Sequence, residues 1–497
     1  MGPSRFSRFA LAALLGPLLV LVFFSQRALN QRRVELGLTR GEVLGKTAPP
    51  VLVFTTVALG GFRGLIANAL WLRAVELQEQ DKFFEKVQLT DWITKLQPHF
   101  VTVWVVQAWD MAYNISVKFP DARDRWLWVQ RGIELLRDEG LKYNPDETLI
   151  YRELAWFFQH KLGQDLDDAH FYYKRAWAIE MEDVLAGTNY VALINPQTAD
   201  EKARALRLRE KYKLDPRHMQ EVDEEFGPLE WRLPESHAIY WATLGLQRAK
   251  KKDFITLRRA IYQPMQIAFQ RGRLIEVDTP EGKAYQFGPN LAMIPRANKA
   301  YEKMMADDAE YRDNISTGHR NFLKDAVQFL YLHNRRAEAE QWFRYLLEKY
   351  PKAYVTDARR EDSALVPIAG MTLDDYVVAR VTDEADDTSH VRTRAVLEGL
   401  LMNSFYNFAI GQDDRGLGYD LLAQKVYARF QSKVATTTSQ AVRVGLPPYG
   451  ELKREVLRIF ERTYGPALYD RLRSKLGLPV ENPAPPARAE SPPAATP

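Results

Sequence analysis

The chain has 497 residues, 46% of them hydrophobic, which is too long for one ordinary domain and apolar enough for a large core. Its 68 lysines and arginines face 64 aspartates and glutamates, so a net charge of +4 leaves no basic stripe to track a phosphate backbone, and no nucleic acid is expected as partner. With no cysteine there can be no disulfide, zinc knuckle, thiol nucleophile or lipidated cysteine.

Residues 1–8 are short and basic, with Arg5 and Arg8. From Phe9 to Gln26 run 18 residues without a charge. At ~1.5 Å per residue such a helix nearly covers a hydrocarbon core of roughly 30 Å, so 9–26 is expected to be one membrane anchor. Gly16 and Pro17 interrupt it, which a spanning helix tolerates. A cleaved export signal has a similar basic start, but Ser25, Gln26, Arg27 and Ala28 after Phe24 offer no small-x-small site. Arg27, Arg32, Arg33 and Arg40 nearly balance Arg5, Arg8 and the amine across the span. Very short basic starts usually stay inside, so the body is expected in the periplasm, outside the cytoplasmic membrane.

Residues 27–61 form a juxtamembrane linker ending in an apolar run, Val51 to Phe62, closed by Arg63. Its 12 residues are too few to span, and a buried or interfacial segment is expected. The alternative is a second span reaching Leu72, which would carry Arg63 and return the body to the cytoplasm.

From 62 to 351 amphipathic stretches alternate with short breaks: Leu65 to Gln80, Phe84 to Leu96, Val101 to Lys118, Asp124 to Tyr143, Thr148 to Leu162 and Ala169 to Ile179. Pro98, Pro120, Pro145 and Pro351 fall just beyond apolar periods, where a helix must stop. All eleven tryptophans lie between Trp71 and Trp342, as in a stack of helix hairpins locked by large aromatics.

Several of these segments resemble the tetratricopeptide repeat. In RAEAEQWFRYLLEKYP, Ala339, Phe343, Leu346 and Pro351 stand at that family's spacings, with Asn334 as a turn residue before them. Ala169, Tyr173 and Ala176 make a second match, preceded by Gly163, and Gly140 with Pro145 a third. Pro98 closes a fourth, in which Lys86 and Thr90 replace the small residue and the aromatic. The resemblance implies an all-α, tetratricopeptide-like helix-hairpin solenoid that binds proteins. It also implies that Asn321, Lys324 and Gln328 face a concave, peptide-binding surface, where Asn and Gln would bond a peptide backbone and Lys a carboxylate.

Between 195 and 317 the period breaks at Pro216, Pro228, Pro234 and Pro264. Arg273 to Phe287 alternates around Pro280, Glu281 and Gly282, which predicts a small β-hairpin insertion. The stretch EEFGPLEWRLPESHAIYW resembles membrane-linked repeat proteins with no assigned role. Residues 352–479 read as a C-terminal helical region with helices at Thr388 to Ile410, Tyr419 to Phe430 and Tyr449 to Tyr464, and a short one reaching Leu476. The Pro/Ala-rich tail 480–497 cannot bury a core and is expected to be disordered.

Standard chemistry is hard to place. Gly41 to Thr47 has three residues between its glycines where a phosphate loop needs four, and Pro49 and Pro50 follow instead of a helix. No two of the eight histidines stand three or four apart, so no paired metal ligands share a helix face. The acidic groups Asp223 to Glu225, Asp307 to Asp308 and Asp383 to Asp387 read as solvated helix ends. Glu230 to His237 mixes catalytic side-chain types, but reads as a loop with Trp231 in the core and Ser236 capping a helix from His237 to Arg248. The expected function is a membrane-anchored scaffold holding envelope proteins, with no cofactor or metal. The alternative is an envelope enzyme with its site near Glu230 to His237.

Overall fold

A computed structural model of the chain describes residues 17, 20–29, 31–32, 62–250, 253–279, 282–355, 366–382, 390–435 and 446–478. The short N-terminus 1–8, most of the expected anchor 9–26, the glycine loop 41–47, the run 51–61, the acidic group 383–387 and the tail 480–497 lie outside these residues. Residues 20–29 are helical, with Val20 to Phe24 and Leu29 exposed. Among the described residues no helix is long and apolar enough to cross a membrane.

The chain divides into two compact units, Met1–Asp110 and Met111–Pro497. In the first, α1 (Phe62–Glu79) packs on α2 (Phe83–Leu96), followed by α3 (Val101–Trp109). Ala67, Ile93 and Val103 form the centre, with Leu70 and Trp71 against them. The α2 helix stops two residues before Pro98, whose carbonyl accepts the Trp104 indole N–H at 2.8 Å. Lys86 and Thr90, the two departures from the repeat pattern, are both buried here.

The second unit is helical, built from packed hairpins, with one two-stranded antiparallel sheet. After a π turn and a 3-10 turn that reach Lys118, its first α-helix is α4 (Ala122–Glu134), capped by Asp121, which runs through a π turn and a last helical turn to Tyr143, just before Pro145. Next come α5 (Thr148–Trp156), continued by a π turn to Leu162, and α6 (His170–Leu185). The short α7 (Tyr190–Ile194) precedes α8 (Ala199–Glu210), whose Thr198 and Glu201 form a reciprocal capping box that satisfies two otherwise free N–H groups. Then α9 (Pro216–Phe226) and α10 (Pro234–Arg248) each begin with proline at a first-turn position, where no N–H is needed.

The α11 helix (Phe254–Arg271) contains Pro264 and runs through it, where a break in the period is expected from the sequence. An interior proline costs a helix about 3 kcal/mol. Burial of Leu257, Ile261, Met265 and Phe269 along one stripe offsets that cost and carries the helix through. The predicted hairpin is present: β1 (Arg273–Thr279) pairs with β2 (Gly282–Gly288), Arg273 opposite Gly288 and Glu276 opposite Tyr285.

The α12 helix (Ile294–Asp307) leads to the hairpin of α13 (Arg312–Leu332) and α14 (Arg336–Lys349). Asn334 takes φ +57 in the turn between them, a left-handed conformation that asparagine tolerates better than most residues. Ala339, Phe343 and Leu346 are all buried, as the repeat spacing requires. In α6 the register differs, since Tyr173 and Trp177 are buried while Ala176 is only half-buried.

Beyond Pro351 lie α15 (Leu373–Thr382), α16 (His390–Ala409), α17 (Asp413–Ala435) and α18 (Tyr449–Leu476), which bends at Gly465. The α16 and α17 helices form a hairpin that α18 joins, and α17 also packs on α13. A Cβ on Gly418 would lie 1.9 Å from the Leu332 carbonyl oxygen, so the α13 to α17 approach requires glycine.

Candidate functional site

The groove expected at Asn321, Lys324 and Gln328 is not open. Lys324 is 1% exposed, and Asn321 and Gln328 are half-buried. The cause is α15, which returns across α13 after a bridge between Tyr354 and Pro367. Tyr376 is fully buried, stacked 5.0 Å from Phe343, and its hydroxyl donates to the Lys324 carbonyl at 3.4 Å. Arg380 of α15 donates to the Gln328 side chain at 3.2 Å and to Asp325 at 2.7 Å. The expected concave face is therefore an interior contact of the chain itself.

The Glu230 to His237 block is also taken up by the fold. Trp231 is fully buried, as expected. Ser236 does not cap a helix: α10 starts at Pro234, and the Ser236 hydroxyl donates to the Glu230 carbonyl at 2.7 Å. The Glu230 carboxylate holds Arg232 through two bonds of 2.9 Å. His237 Nε2 donates to the Trp231 carbonyl at 2.8 Å, its ring packed among Phe158, Trp177 and Trp231. Burial holds its pKa down at about 4, so the ring is neutral near pH 7. Ser236 and His237 thus bond to backbone carbonyls rather than to each other.

A dense ionic cluster ties the turn before α6. Lys161 meets Asp167 at 2.5 Å, Lys174 meets Asp165 at 2.7 Å, and Arg271 grips Asp165 at 2.9 and 3.0 Å. Burial lowers both lysine pKa values, and their aspartates partly restore them. Each charge here has an opposite partner, which is the chemistry of a clamp. Among the described residues no group of three or more His, Asp or Glu side chains is placed to hold a metal ion.

Among the described residues, one arrangement that presents unmatched charge is a cleft of about 520 Å³ in the second unit. Three turns converge on it: His333 and Arg335 after α13, Gly411 to Arg415 where α17 begins, and Pro289 to Ala292 after β2, with Arg273 at the start of β1. Gly411 takes φ +76, the left-handed bend that lets α17 start immediately after α16. The missing side chain of Gly418 then seats α17 against the end of α13, and a Cβ on Gly288 would lie 3.4 Å from Arg415 Nη1.

The charges in this cleft do not cancel. Arg335 is held by Glu338 through two bonds of 2.6 Å, and Asp413 by Lys475 at 2.7 Å. Among the described residues neither Arg273 nor Arg415 has an ion-pair partner, and the buried Nε of Arg415 has no hydrogen-bond acceptor. Against these two guanidiniums stands one unmatched carboxylate, Asp414. His333 Nδ1 donates to the Phe329 carbonyl at 2.7 Å. Its pKa is held down at about 4, first by burial and then by the fields of Arg415, Arg273 and Arg335, although the Phe329 bond works the other way. Three arginines from separate elements thus act on one imidazole.

Nothing in the sequence singles out Arg273, Arg335 or Arg415, and His333 stands out there only as one of eight candidate metal ligands. No local motif joins them, because the elements that carry them meet only through tertiary packing. No family model matches the chain, and it matches no curated protein and no solved structure.

Proposed function

We propose that the chain is a membrane-anchored scaffold that holds other proteins on a surface of tetratricopeptide-like helix hairpins. The observation that carries this reading is the cleft at Arg273, His333, Arg335 and Arg415, where the two unmatched guanidiniums of Arg273 and Arg415 outnumber the one unmatched carboxylate of Asp414. Arginine stays protonated at any physiological pH, so it holds an anion well and exchanges protons poorly. Such a cleft recognises rather than transforms. The repeat-like assignment is supported by Ala339, Phe343 and Leu346, buried at the expected spacing behind the left-handed Asn334.

Membrane attachment is supported by the uncharged stretch 9–26 and by α1, where Phe62, Leu65 and Leu72 are exposed at helical spacing in the stretch after the apolar run 51–61. A bacterial-type envelope with the body in the periplasm is the setting that fits the short basic start. Two measurements test the proposal. The full chain should stay with membranes through a carbonate wash, and release would overturn the anchor. A photo-crosslinking residue at Gln412, on the cleft, should give discrete protein adducts in cells, whereas one at the exposed Lys202 should not. Equal or absent labelling at the two positions would overturn the scaffold reading.

A further inference from the structure

We infer that the cleft between the α13 turn, the start of α17 and the segment after β2 binds a single peptide carboxylate, from an acidic side chain or a free C-terminus, through Arg273 and Arg415. The inference rests on the scaffold reading and names the chemistry that the scaffold recognises.

Charge selects the ligand. Arg273 and Arg415 are opposed by Asp414 alone, because Arg335 is matched by Glu338 and Asp413 by Lys475. One guanidinium is left over, which matches a monoanion and not a phosphate dianion or a polyphosphate. Asp413 and Asp414 at the rim would repel the extra charge of those ligands.

Geometry agrees. A guanidinium presents its donors in a plane that fits the two oxygens of a carboxylate. The Nε of Arg415 is buried with no acceptor in the fold, so the protein itself does not satisfy this guanidinium, and its outer Nη groups are left to meet a carboxylate. The Arg415 guanidinium also lies 5.7 Å from the Tyr419 ring, which limits its freedom before the ligand arrives. Around it, Asn290 and Gln412 offer amide groups suited to a peptide backbone. Asn290 is itself anchored, its side chain donating to the Pro228 carbonyl at 2.8 Å and its backbone N–H to the Phe269 carbonyl at 2.8 Å.

The test uses the full chain in detergent and three peptides carrying a neutral dye. The first, Gly-Ala-Leu-Asn-Ala, has a free C-terminus. The second is its C-terminal amide. The third is the amide with glutamate in place of asparagine. Fluorescence anisotropy should show binding of the first or the third and none of the second, and which of the two binds identifies the source of the carboxylate. Arg415→Gln and Arg273→Gln should each weaken binding about tenfold, the loss of one charged hydrogen-bonded contact.

Arg273 is exposed, so its variant keeps the test valid should Arg415→Gln disturb folding. Equal binding of all three peptides, or unchanged binding to a folded Arg273→Gln chain, would overturn the inference. So would inorganic phosphate displacing the peptide more strongly than acetate does. If the peptides fail while Gln412 still crosslinks to a protein in cells, the carboxylate assignment falls and the scaffold reading stands. Peptide binding without any protein adduct in cells has the opposite meaning.

Discussion

Lys86 Nζ lies 2.6 Å from Asp110 Oδ2, with the two side chains only 2% and 3% exposed. The same ammonium donates to the Gln78 side chain at 2.7 Å. A lysine stands in α2 where a repeat helix would carry a small residue, and the first unit accommodates it by supplying a buried counter-charge. Breaking a buried pair by removing one member typically costs about 3–5 kcal/mol, whereas replacing both with apolar groups is often close to neutral. Lys86→Met should therefore lower the melting transition of the first unit sharply in calorimetry. Lys86→Met combined with Asp110→Leu should recover part of that loss. A double variant no more stable than the single would show that the pair is not the main partnership of either side chain.

The α13 to α14 hairpin makes a second prediction. Ala339 is completely buried, so Ala339→Arg places a guanidinium in the helix contact with no carboxylate built to receive it. The expected loss is about 3 kcal/mol or more, the range of a buried unpaired charge or an overfilled core. Glu340→Arg, on the neighbouring exposed position, should stay within about 0.5 kcal/mol of the parent. Chemical denaturation of the two variants side by side measures the difference. Equal stabilities would mean that Ala339 does not face α13 at close range.

What could be read from the sequence was whatever is written within one or two helical turns. Pro98, Pro145 and Pro351 stop helices, Asn334 turns the chain, and the alternation after Arg273 makes the hairpin, because each is a local backbone property. Ala339, Phe343 and Leu346 were legible for the same reason, since their period of three and four residues defines the buried face by itself. The burial of Lys324 is not legible locally, because Tyr376 reaches its carbonyl, and Arg380 the neighbouring Asp325 and Gln328, only after the chain has left the hairpin and come back. The cleft was invisible for a like reason. Arg273 and Arg415 belong to different elements, and tertiary packing, including the close approach of Gly418 to Leu332, brings the start of α17 to the end of α13.

The burial of Lys324 reverses what an exposed groove would predict. Lys324→Glu would place a second carboxylate beside Asp325, whose pKa burial already raises despite its bonds to Gln270 and Arg380. The variant should lose several kcal/mol, on the order of the cost of a buried like-charge pair. Lys324→Met, which keeps the length of the side chain without its charge, should lose less. Circular dichroism melts would show the ranking, and a Lys324→Glu chain as stable as its parent would restore the open-groove reading.

Three buried imidazoles, His319, His237 and His333, make stability depend on pH in a defined window. His319 is fully buried, with Nε2 donating to Asn298 Oδ1 at 2.7 Å and Nδ1 accepting from the Tyr350 hydroxyl at 2.8 Å. Its ring stacks on Tyr301 at 5.3 Å. Burial holds its pKa at about 4, with Glu302 raising and Lys349 lowering it further, and burial holds His237 at about 4 against the raising effect of its bond to the Trp231 carbonyl. The unfolded value is close to 6.5, so the folded state disfavours the proton. The stabilisation is therefore fully present above pH 6.5, drains as the pH falls, and is gone near pH 4, at about 3 kcal/mol for each residue. Glu235 and Asp325 work in the opposite sense, because burial raises their pKa values. The contrast between variants is thus more informative than the total slope. His319→Gln keeps a polar group in place and removes the titration, so it should lower stability at pH 7 and flatten the decline between pH 6.5 and 4. Denaturation midpoints at pH 7, 5.5 and 4 measure this, and a variant whose decline parallels that of the parent would show that His319 is protonated without cost.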